Sequence, residues 1–95
     1  MILKLENNIN IENSFEVKKN IIDKLSELDG YEDNTLILDF NKIDFMDSTG
    51  LGILVSILKR SRSKNIDLKI INISERVYEV FEVTMLDEIF NLEKK

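Results

Sequence analysis

Thr35-Leu36-Ile37-Leu38-Asp39-Phe40 is apolar almost throughout, the pattern of a short strand buried on both faces. A few residues later Leu51, Leu54, Val55 and Leu58 fall at i, i+3, i+4 and i+7, the spacing by which a helix lays one stripe on a core. At about 100° per residue, Ile53 and Ile57 widen that stripe into a broad apolar arc over a helix at 48–63. Its opposite face is small and polar: Ser48, Gly52, Ser56, Lys59 and Ser63 follow one another along it. A glycine inside a helix costs about 1 kcal/mol relative to alanine. Either a partner approaches closely at Gly52, or the glycine closes the turn into the helix.

The same patterns organise the rest of the chain. Met1 to Ile11 alternates in part and reads as a first strand with a polar break at Asn7-Asn8. Asn13 and Glu16 have the spacing of a capping box, and the helix they open is expected to bury Phe15, Ile21, Ile22, Leu25 and Leu28 before ending near Asp29-Gly30. Residues 31–34 are expected to form a polar loop, with Glu32 and Asp33 in a solvated turn. Ile66 to Ile73 begins as an alternating strand and becomes continuously apolar. Ser74 caps a helix whose Val77, Val80, Phe81 and Thr84 share a side, after which Leu86, Ile89 and Phe90 pack on the sheet and Lys94-Lys95 trails into solvent. Strands alternating with helices predict an α/β domain with a mostly parallel sheet and right-handed crossovers.

A chain of 95 residues has room for one domain and one modest core. With 43% hydrophobic and 33% charged residues and no apolar run near the ~20 needed to span a bilayer, it reads as a cytoplasmic globular domain without membrane insertion. The absence of cysteine and histidine removes disulfides, thiol and Ser-His-Asp nucleophiles and the commonest metal ligands. A net charge of −5 argues against nucleic acid, which is held through Lys and Arg on phosphates. The basic cluster Lys59 to Lys64 fits the C-terminal end of a helix, where cations complement the macrodipole, an anionic-ligand site being the alternative.

Chemistry concentrates between the 35–40 strand and the 48–63 helix. Asp47 and Ser48 are both good N-cap residues, and a helix start offers unpaired amide donors and partial positive charge. Ser48 as a mere cap therefore stands against Ser48 as a modified hydroxyl. Asp39, Asp44 and Asp47 near the strand's C-terminal end also allow a metal-binding or phosphoacceptor carboxylate cluster, although Asp39 is more simply a strand-terminal residue bonding turn amides. Gly50-Leu51-Gly52 is too short for a dinucleotide fingerprint, and no cofactor is expected.

Asp-Phe-Met-Asp-Ser-Thr-Gly-Leu-Gly at 44–52, preceded by Leu-Ile-Leu-Asp-Phe and followed by Leu-Lys-Ile-Ile-Asn-Ile-Ser, resembles the STAS domain of anti-sigma factor antagonists. Ile43, Phe45, Asp47, Ser48, Thr49, Gly50, Leu51 and Gly52 match the family turn, and Val77 to Phe90 resembles its third helix and the turn after it. The resemblance implies a small α/β domain, residues 1–95, that is not an enzyme. It implies that the unphosphorylated form sequesters an anti-sigma factor serine kinase, and that phosphorylation at Ser48 (Thr49 being the rival acceptor) releases it, with a phosphoserine phosphatase as a further partner. Together with the small helix face it places the contact on Asp47, Ser48, Thr49, Gly50, Gly52 and Ser56. A different expectation from the same resemblance is an interaction subunit of a larger regulatory or lipid-transport assembly, never modified at Ser48. The first strand aligns with the family's second, so a preceding strand and the final helix are expected to be lacking. Met85 stands where the family has glycine, and is expected to be buried packing, the alternative being an exposed, adaptable apolar contact.

Overall fold

A computed structural model of the chain describes residues 1–30 and 34–95. The 31–33 part of the expected polar loop, with Glu32 and Asp33, lies outside the described residues. Strand β1 (Ile2–Lys4) leads through helix α1 (Ser14–Leu28) to β2 (Thr35–Asp39), then through α2 (Ser48–Ser63) to β3 (Asp67–Ile73). Helix α3 (Glu75–Val83) and a 3-10 turn (Leu86–Glu88) lead to β4 (Asn91–Lys94). The sheet runs in the order β1-β2-β3-β4, with every neighbouring pair parallel.

Register assigns each strand residue to a face. Leu3, Leu38, Ile70 and Leu92 form one row across the sheet, and Ile2, Ile37, Lys69 and Asn91 form the next. Because neighbouring residues on a strand point to opposite faces, the first row enters the core while the second meets solvent, with Ile2 60% exposed. An unbroken series of parallel steps with right-handed crossovers leads every helix to the same side, so the other side stays open. The 35–40 strand is thus covered on one face only, not on both. On the open side a Lys69–Glu93 pair at 3.1 Å replaces packing.

The core lies between the sheet and the helices. Leu54 and Ile57 of α2, Ile21 and Leu25 of α1, and Val77 and Phe81 of α3 are completely buried against Leu36, Leu38 and Ile70. Each such side chain contributes about 1.5–3 kcal/mol of transfer free energy, which outweighs the helix cost of Gly52. Phe81 and Phe90 meet edge to face with ring centroids 5.2 Å apart.

Several expectations need correction. Phe15 is 81% exposed, because the buried stripe of α1 runs through Ile21 and Leu25 and leaves Phe15 off its side. The capping box is not formed: Asn13 has helical backbone angles, and its side chain instead accepts from the Asn10 amide at 2.8 Å and donates to the Asn8 carbonyl at 2.8 Å. Ile89 is 43% exposed, and Thr84 is exposed with its hydroxyl bonded to Val80 and Phe81 carbonyls. Lys94 belongs to β4, and Lys95 is tied by its amide to the Ile73 carbonyl (3.0 Å) and by Nζ to that of Asn41 (2.9 Å). Met85 is 67% exposed with φ +60°, a left-handed position. An L-residue there bears roughly 1–2 kcal/mol of steric cost, which explains why glycine suits the turn.

Candidate functional site

The turn from β2 to α2 is set by side chains bonding backbone amides. Asp39 Oδ1 accepts from the Asn41 amide (2.9 Å) and from Asn72 Nδ2 (3.0 Å), so one carboxylate closes the turn and ties the C-terminal ends of β2 and β3. Asn72 reaches it from a left-handed backbone with φ +58°. These bonds, led by that from Asn72, hold the Asp39 carboxyl below its ordinary pKa. Asn8 stitches the segment after β1 to the same turn: its Oδ1 accepts from the Asp44 amide at 3.0 Å and its Nδ2 donates to Asp44 Oδ1 at 2.7 Å.

The three aspartates therefore have separate duties. Asp39 links strands, Asp44 pairs with Asn8, and Asp47 caps α2. Among the described residues no group of three or more His, Cys, Asp or Glu is clustered as a metal site would need.

Asp47 is extended (φ −104°, ψ −172°), and its side chain accepts from the Gly50 amide at 3.0 Å while its carbonyl accepts from Leu51 at 3.0 Å. The cap is thus Asp47, and Ser48 is the first residue inside the helix. Ser48 is exposed, and its hydroxyl has no hydrogen bond among the described residues. The amides of Ser48 and Thr49 carry no bond either, leaving two donors of the helix N-terminus toward solvent.

The expected contact residues divide by burial. Ser48 and Gly52 are exposed, and Asp47, Thr49 and Ser56 are half-buried. Gly50 is buried, and a Cβ there would stand 2.8 Å from Met46 Cγ and 3.4 Å from Ile9 Cβ. Gly50 is thus needed where the helix start presses on Met46 and Ile9, and little of it faces solvent. At Gly52 a Cβ would meet nothing within 4 Å, which removes turn closure as the reason for that glycine. Ser56 lines an open groove with Asp29, Lys59, Arg60, Ser63 and Lys64 rather than standing fully exposed.

Sequence reasoning missed Asn8, Met46 and Arg76. The Arg76 guanidinium lies 5.4 Å from the centroid of the Phe45 ring, a cation–π contact three residues before Ser48. A cation in the first turn of a helix opposes the macrodipole, and that was the available signal.

The whole chain, residues 1–95, matches the STAS domain model, and the protein belongs to that family. It is 35% identical over 57 residues to the anti-sigma-B factor antagonist of Listeria monocytogenes, a match covering 60% of this chain and 50% of that protein. To the anti-sigma-B factor antagonist of Bacillus subtilis it is 38% identical over 53 residues, covering 56% of this chain and 49% of that one. The chain thus spans about half the length of these curated relatives. A crystal structure of a Thermotoga maritima protein described as a candidate anti-sigma factor antagonist superposes with a TM-score of 0.86 at 32% identity, covering 99% of this chain and 78% of that one. The murine Slc26a9 anion transporter contains the same fold, with a TM-score of 0.78 at 24% identity over 86% of this chain and 13% of the transporter. No helix among the described residues is long and apolar enough to cross a membrane.

Proposed function

We propose that this protein is an anti-sigma factor antagonist whose binding to an anti-sigma factor kinase is switched off by phosphorylation of Ser48. The observation that carries the reading is the division of labour at the start of α2: Asp47 makes the cap bond to Gly50, and the Ser48 hydroxyl is exposed and unbonded. The names of the Listeria and Bacillus relatives support the antagonist role.

In the reaction the Ser48 Oγ attacks the γ-phosphorus of ATP, an Oγ–P bond forms, the bond to the β-phosphate bridge breaks, ADP leaves, and the hydroxyl proton passes to a base or to solvent. The product carries about −1.5 to −2 charges. In the free protein the helix N-terminus and its open amides accommodate that charge by roughly 0.3–1 kcal/mol. Pressed against a partner without matching cations, it costs several kcal/mol. A loss of about 3 kcal/mol lowers affinity on the order of 100-fold, so no refolding is required. A phosphatase would restore the binding form.

The test is radiolabelling by the kinase with ATP. Wild type and Thr49→Val should be labelled and Ser48→Ala should not; labelling of Ser48→Ala as strong as wild type assigns the acceptor elsewhere. Intact mass of protein from cells, with and without phosphatase, checks the same claim in vivo. A single unshifted mass under all growth conditions would instead favour a permanently unmodified subunit of a larger assembly.

A further inference from the structure

Most cations of this chain are engaged. Lys24, Lys42, Lys64, Lys69 and Lys94 form ion pairs, Arg62 and Lys95 bond the carbonyls of Ile89 and Asn41, and Arg76 lies on Phe45. Among the described residues five cations have neither an ion pair nor a hydrogen bond: Lys4, Lys18, Lys19, Lys59 and Arg60. Four of the five sit on α1 and α2, in a protein whose net charge is −5.

The helix geometry brings three of these four, Lys19, Lys59 and Arg60, to one surface. Asn13, Glu16, Val17 and Asn20 line a cleft against β1, which identifies the β1-facing flank of α1. Phe15 and Lys19, four residues apart, form a row that lies away from that flank, toward α2. On α2 the row Ser48, Gly52, Ser56 runs on to Lys59 and Arg60, and Asp29 at the end of α1 closes the groove between the helices. Asp29 is neutralised by Lys64 at 2.8 Å. The shared surface thus has an 81% exposed phenylalanine at the start of α1 and the unpaired cations Lys19, Lys59 and Arg60, with Gly52 and Ser56 between the helices and the exposed Asp23 as the one carboxylate continuing the Phe15–Lys19 row.

We infer that this α1–α2 face docks an acidic segment of the partner protein that carries an apolar anchor, Phe15 meeting the anchor and Lys19, Lys59 and Arg60 meeting the carboxylates. The inference rests on the Ser48-centred reading above and extends it to the partner's chemistry. Charge complementarity selects the occupant: another copy of this chain would have to offer an acidic patch to the same face, whereas a separate acidic segment satisfies all three cations. Gly52 and Ser56 let the segment's backbone approach. A phosphate on Ser48 would stand at the end of the same surface and repel an acidic occupant, which joins the docking face to the switch.

The experiment measures equilibrium and stopped-flow binding of the purified anti-sigma factor kinase from the same organism to three proteins: wild type, the triple variant Lys19→Glu/Lys59→Glu/Arg60→Glu, and Phe15→Ser. All four positions are exposed, so melting temperatures should change little. Each variant should bind roughly tenfold or more weakly, and the wild-type association rate should fall steeply as salt is added. Wild-type affinity in both variants, with Ser48 phosphorylation still releasing the kinase, overturns the docking face and leaves the switch standing. No binding of unmodified wild type overturns the functional reading beneath it. A wild-type dimer in sedimentation that the triple variant dissociates overturns the proposed occupant in favour of a second copy.

Discussion

Asp47 and Gly50 are joined by a hydrogen bond of 3.0 Å from the Gly50 amide to Asp47 Oδ1, and this bond relieves Ser48 of any capping role. The two residues at the helix start thus have different consequences. Asp47→Ala should lower stability by about 1 kcal/mol, the usual loss for an N-cap, whereas Ser48→Ala should lie within roughly 0.5 kcal/mol of wild type. Urea denaturation of both variants checks this, and equal losses would place the cap on both residues.

Gly50 and Gly52 make a second contrasting pair. Gly50→Ala should destabilise by roughly 1–3 kcal/mol, because the added methyl stands 2.8 Å from Met46 Cγ and forces that side chain aside. Gly52→Ala adds its methyl to open space and should stabilise α2 by up to about 1 kcal/mol, while weakening a partner that approaches at that point. Thermal unfolding of the two variants should shift in opposite directions.

Met85 is exposed and left-handed. Met85→Gly should therefore stabilise by roughly 0.5–1 kcal/mol, the steric relief being partly offset by glycine's greater freedom in the unfolded chain. A loss of stability would mean that the Met85 side chain packs on the domain.

Asp39 governs a pH dependence. Its folded pKa lies below the ordinary value because Asn72 and Asn41 bond the ionised form. The unfolded chain thus takes up the proton first as pH falls, so the stability from these bonds is present above the ordinary value of 3.8 and lost as pH falls below it, through the folded pKa. Asp39→Asn should be less stable than wild type at neutral pH, and the gap should narrow in acid. A gap independent of pH would show that the carboxylate charge is not what the two donors read.

What could be read from the sequence follows from which interactions leave a periodic trace. Helix α2 and strands β2 and β3 were legible because Leu36, Leu38, Leu54, Leu58 and Ile70 recur at strand and helix spacings, and the turn at 44–52 carried the family resemblance. Strand β4 was not, since Leu92 is its one apolar residue and its place is set by backbone bonding to β3. The open sheet face was hidden for the opposite reason: Ile37 and Ile71 are apolar but only half-buried, so composition imitated a strand covered on both sides. At the site, the small helix face through Ser48 and Gly52 is legible from spacing, whereas Ser48 as an acceptor rests on the family resemblance. The choice of Asp47 over Ser48 as cap, the burial of Gly50 under Met46, and the Asn8 bonds to the 44–45 segment depend on distances that no one-dimensional pattern encodes.

The most direct test of the account compares the affinity of an anti-sigma factor kinase for unmodified protein and for protein phosphorylated stoichiometrically at Ser48, by calorimetry at one ionic strength. The account predicts tight binding of the unmodified form, a loss on the order of 100-fold on phosphorylation, and little change in the melting temperature of the free domain. Equal affinity of the two forms would contradict it.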